Sequence, residues 1–149
     1  MGKINHLRLL WAALAATVTF IVAEVVVEGL VRLLFGIDEA TLWRERVGPL
    51  REGAGVQAVN LAILLAVCLL MMWLYVILRS HFGPHRSTAL VAALFLWLLV
   101  LVLWVNFVNL GAFPMENAAL SLAFNLLELP AAAIAGAAVY RDRQSPAAA

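Results

Sequence analysis

The sequence predicts an all-α integral membrane protein: a four-transmembrane-helix bundle with a short interfacial helix in its first loop. Of 149 residues, 65% are hydrophobic and 13% charged, whereas a soluble domain carries roughly 45–50% and 25%. The charges also lie between the apolar stretches more than within them. Four of those stretches reach about twenty residues, the length that crosses a hydrocarbon layer of about 30 Å. All 149 residues are read as one membrane domain.

The first span covers about residues 9–34. Lys3, His6 and Arg8 precede it as they would a signal peptide, but the apolar run continues through Glu24 to Leu34, long enough for a full span. His6 stands where an N-myristoylation signal needs Ser or Thr. The loop of residues 36–55 opens with Asp38, a helix N-cap. Residues 38–47 then read as a surface helix with Leu42, Trp43 and Val47 dipping inward, ended by Gly48-Pro49. The second span, about 56–78, and the third, about 89–110, are joined by a tight turn through Gly83-Pro84. The fourth, about 118–140, contains Pro130, which removes a backbone donor and frees the carbonyl of Leu126. Small residues at four-residue spacing follow, among them Ala132 and Gly136, and permit close helix approach.

Four spans place both termini on one side. With the N-terminus inside, Lys3, Arg8, Arg79, Arg86, Arg141 and Arg143 lie inside, and Arg32, Arg44, Arg46 and Arg51 outside. This bias, and a 111–116 connection without Lys or Arg, predicts cytoplasmic termini in a plasma membrane of the bacterial inner-membrane type.

Composition also excludes classes of function. A net charge of +1, with cations in small scattered groups, provides no nucleic-acid surface. Cys68 is the single cysteine, so neither an intrachain disulfide nor a cysteine-built metal centre can form. His6, His81 and His85 all lie outside the spans, which argues against haem ligation, and no cofactor is expected. His81 and His85 flank Gly83-Pro84 and do not share a helical face, so they make a poor metal pair. Whether any metal binds elsewhere is left open.

Function is sought where polar groups fall at membrane depth, because they are costly there and face a bundle interior or cavity. Glu24 and Glu28 share one face of the first span, with Thr17 and Arg32 on the same stripe. On the fourth span Asn117, Ser121, Asn125 and Glu128 recur at steps of four, four and three. Glu128 stands eleven residues into its span, about 16 Å deep. The second span adds Gln57 and Asn60 and the third Asn106 and Asn109. Because helix direction alternates, Glu24, Glu28, Asn60, Asn106, Asn109, Asn117, Asn125 and Glu128 all fall in one half of the membrane. All of these but Asn117 are the candidate ligand- or proton-binding residues of a pocket that opens toward the long loop. The competing reading is packing: asparagines bonding between helices and a protonated Glu held by an amide.

Two short likenesses bear on this. Asn125-Leu126-Leu127-Glu128-Leu129-Pro130 resembles the Asn-x-x-Glu stretch, with a proline soon after, of the MAPEG family of four-span membrane enzymes. The likeness covers six of 149 residues and falls on the last span instead of the second, without that family's surrounding arginines. Ala23-Glu24-Val25 is similar to the first span of small multidrug transporters, whose glutamate couples protons to cation export. Here a long charged first loop and a second deep carboxylate depart from that pattern.

The leading expectation is a small binding or transport protein in which Glu24 and Glu128, aided by the amides, take up a proton, a cation or a small polar solute. Four helices enclose little more than one narrow pocket, so a homo-oligomer is expected. The alternative is a non-catalytic accessory subunit of a larger membrane complex, its polar residues contacting partner chains. A small MAPEG-like enzyme ranks third, since no nucleophile, base or metal-ligand set accompanies the carboxylates and amides.

Overall fold

A computed structural model describes residues 5–36, 41 and 53–140 of the chain. The described residues form four helices: α1 (His6–Phe35), α2 (Ala54–Phe82), α3 (Arg86–Asn109) and α4 (Met115–Val139). Each is long and apolar enough to cross a membrane. The expected surface helix over 38–47 lies, apart from Thr41, outside the described residues.

Local chemistry starts each helix two or three residues before its apolar run and carries α2 four residues past it. The Asn5 side chain accepts from the Arg8 N–H at 3.1 Å and starts α1, and Gly36 ends it in the left-handed conformation at φ 68°, which glycine adopts without strain. α2 takes in the polar residues Arg79–His81 before Gly83 closes it, with its N–H on the Arg79 carbonyl at 2.9 Å. The Thr88 hydroxyl donates back to the Gly83 carbonyl at 2.9 Å and tightens the turn into α3. Leu110–Pro114 form the corner before α4, lined by the edge-to-face rings of Trp104, Phe107 and Phe113. Pro130 lies within α4, which continues through it as one helix.

The chain runs up, down, up and down, so sequence neighbours are antiparallel. α1 and α4 share the most extensive seam and α4 also packs along α3, whereas α2 leans chiefly on α1 and α3. The core is built of small side chains from three helices: Ala12, Ala13 and Ala16; Ala89, Ala92 and Ala93; Ala132, Ala133 and Gly136. α2 fills the remaining space with Cys68, Met71, Met72 and Tyr75. Small residues let backbones approach, and in lipid such contact replaces the hydrophobic effect as the cohesive term. Large apolar side chains such as Val25, Leu33, Val102 and Leu103 point outward, as expected of a bundle solvated by hydrocarbon.

The buried residues are unevenly distributed. Those of α1 end at Thr17, those of α2 begin at Cys68, and those of α3 end at Leu96. The tight core therefore occupies the end that holds the α2–α3 turn and the close of α4. At the other end only α4 keeps covered side chains, Asn117 and Ala118 among them.

Candidate functional site

Glu128 is the only buried carboxylate among the described residues, at 3% exposure. It sits midway along α4, one turn before Ala132 and one after Phe124, both buried. Asn125 is half-buried, and its Nδ2 donates to the Ser121 carbonyl of its own helix at 2.8 Å. One of its two N–H donors is thus used locally, and the other, with the carbonyl oxygen, is what it can offer a ligand. Asn117 is buried at 3% exposure, and its Oδ1 receives no hydrogen bond.

The levels of α1 and α4 follow from one close contact. A Cβ on Gly136 would lie 2.9 Å from the Ala12 carbonyl oxygen and 3.2 Å from the Ala16 Cβ. In an antiparallel pair with equal rise, each step along α1 matches one step back along α4. Glu24 therefore stands level with the Phe124–Glu128 turn, and Glu28 one turn nearer the start of α4. Glu24 is exposed and Glu28 half-buried, and both Glu24 and Glu128 engage other groups of the protein.

α2 can be aligned in the same way. Thr17 donates to the Ala13 carbonyl at 2.9 Å and its side chain meets the Cys68 thiol. From that contact Glu24 matches Leu61 in level, and Glu28 matches Gln57. Asn60 and Gln57 are exposed, so α1 and α2 carry carboxylates and amides at one height without covering them. Asn106 and Asn109 are exposed at the end of α3, beside the aromatic corner. The structure thus gathers Glu24, Glu28, Asn60, Asn125 and Glu128 by level in one half of the bundle, and leaves Asn106 and Asn109 at its rim.

Two contributors are not among the expected site residues. Asn117 belongs to the same α4 stripe, but a position at the helix start gave no reason to expect burial. The Trp97 indole N–H donates to the Leu122 carbonyl at 2.9 Å and fastens α3 to α4 nearly two turns before Glu128. The available signal was that a tryptophan in mid-span must place its N–H somewhere. Among the described residues, no group of three His, Cys, Asp or Glu side chains could hold a metal ion.

Fold and site together define a bundle of four membrane-length helices with, among the described residues, a single buried carboxylate at the end of a polar stripe. Comparison with protein families, with characterised proteins and with solved structures finds no match. The likenesses at Asn125–Pro130 and Ala23–Val25 stay as short as they are in the sequence.

Proposed function

We propose that this chain is an integral membrane protein that binds or moves a proton, a cation or a small polar solute through the polar half of its bundle, with Glu128 at the centre. One observation carries this reading: a carboxylate in the middle of a 25-residue apolar helix is buried at 3% exposure, level with a second carboxylate on the neighbouring helix. Placing such a group at membrane depth costs from about 2.5 kcal/mol upward, which favours a role beyond packing. Glu24, Glu28, Asn60 and the Asn125 carbonyl line the approach, and Asn106 and Asn109 mark its rim. In this reading the site lies in the outer half of a plasma membrane, both termini are cytoplasmic, and the chain works as a homo-oligomer.

The test is reconstitution into vesicles that report internal pH and sodium. The wild type is expected to dissipate an imposed proton or sodium gradient faster than empty vesicles, and Glu128→Gln to abolish this while melting like the wild type. Wild-type flux equal to that of empty vesicles, or flux unchanged by the substitution, overturns the reading.

The exposure of Glu24 favours a second reading, an accessory subunit of a membrane complex whose partner covers the polar groups of α1 to α3. A photo-crosslinker at Val25 that captures one defined foreign protein in native membranes would support it over transport.

A further inference from the structure

We infer that Glu128 communicates with one side of the membrane only, through a hydrated path along the α1–α4 seam that starts at Asn117, and that the opposite half is a dry seal. The inference rests on the membrane reading above and adds the occupant of the path, water, and the sidedness of access. Three features support it. First, Asn117 is buried at 3% exposure, yet its Oδ1 receives no hydrogen bond. A buried amide oxygen left bare costs about 1–3 kcal/mol, and a water molecule is its natural donor in a polar site.

Second, Ser121 and Asn125 follow Asn117 at single-turn steps on α4 and are half-buried, so neither is shut off as Glu128 is. From Asn117 to Glu128 the rise is about 16 Å, too far for direct side-chain contact and suited to a short file of water. Asn125 has turned its Nδ2 to the Ser121 carbonyl, which leaves its Oδ1 as the acceptor for that file. The polar groups level with it on the neighbouring helices are acidic or neutral: Glu24 and Glu28 on α1, Gln57 and Asn60 on α2. Arg32 and Glu116 stand near the entrance, where both engage other groups.

Third, α4 carries no polar side chain from Leu129 to Val139, and the buried hydroxyls of Thr17 and Thr88 in that half each donate to a backbone carbonyl. Leu129, Ala132, Ala133 and Gly136 are buried against α1, α2 and α3, and the backbone of α4 at Gly136 comes so close to Ala12 and Met72 that even a methyl group would collide. Water cannot occupy that contact. Exchange at Glu128 therefore runs toward the start of α4, and release to the other side requires α1 and α4 to separate around Ala12, Ala16 and Gly136.

Single cysteines in a Cys68→Ala background test this in sealed vesicles, with a membrane-impermeant charged methanethiosulfonate as probe. Ser121→Cys is expected to react when reagent is added on the side of Thr41 and not on the side of the His81–His85 turn. Ala132→Cys is expected to react from neither side. Asn125→Cys, one turn deeper than Ser121, serves as a second reporter should Ser121→Cys fail to fold. Protection of both polar positions from both sides, labelling of either from the turn side, or labelling of Ala132→Cys overturns the one-sided path. The flux test at Glu128 is independent, so failure of this path and failure of the membrane-site reading are distinguishable.

Discussion

The Arg79 guanidinium joins the end of α2 to the end of α4: its Nη1 donates to the Tyr140 carbonyl at 2.8 Å, and its Cζ lies 5.5 Å from the centre of the Tyr140 ring. Tyr140 in turn meets Tyr75 edge-to-face at 6.5 Å. The last carbonyls of a helix lack intrahelical partners, and a cation there complements both the hydrogen-bonding deficit and the helix dipole. Arg79→Ala should lower stability by about 1–2 kcal/mol, and Arg79→Lys by less, since it keeps the charge and loses the flat stacking surface. Thermal melting in detergent measures this, and equal melting of all three proteins would show the contact to be inconsequential.

Gly136 marks a close approach of α4 to the Ala12 backbone. Gly136→Ala should destabilise the bundle by about 1–3 kcal/mol because the Ala12 backbone cannot withdraw, and Gly136→Leu should prevent folding or assembly. Val100→Ala, on a half-buried position of α3, provides the comparison and should be tolerated. Similar melting of Gly136→Leu and Val100→Ala would refute close packing here.

Trp97→Phe keeps most of the ring and removes the N–H that reaches Leu122. The expected loss is about 1 kcal/mol, the net worth of one partly buried hydrogen bond. The fluorescence of the remaining tryptophans should be little changed if the helices stay in place.

Glu24→Gln and Glu128→Gln should separate by burial. Both changes are nearly isosteric and both proteins should fold, but flux should be lost with Glu128→Gln and only weakened with Glu24→Gln, whose side chain is exposed. A stronger defect from Glu24→Gln would move the centre of the site onto α1.

Topology is open to the same sided labelling. Thr41→Cys should react from outside the cell and Ser87→Cys only after permeabilisation, in keeping with the distribution of Lys and Arg. The reverse pattern would invert the bundle without altering its internal geometry.

The four apolar helices were legible in the sequence, because span length depends only on local composition. Glu128 stood out for the same reason: eleven residues into an apolar run, a carboxylate is deep wherever the helix turns. What composition could not determine is rotation and closeness. Glu24 and Glu128 occupy equivalent depths, yet one is exposed and the other covered, because α1 packs through Ala12 and Ala16 and so sets which edge of each helix meets its neighbour. The amides of α2 and α3 looked equivalent to Asn117 in the sequence. Only Asn117 is buried: covered side chains run from Asn117 to Gly136 on α4, whereas on α2 they begin at Cys68 and on α3 they end at Leu96.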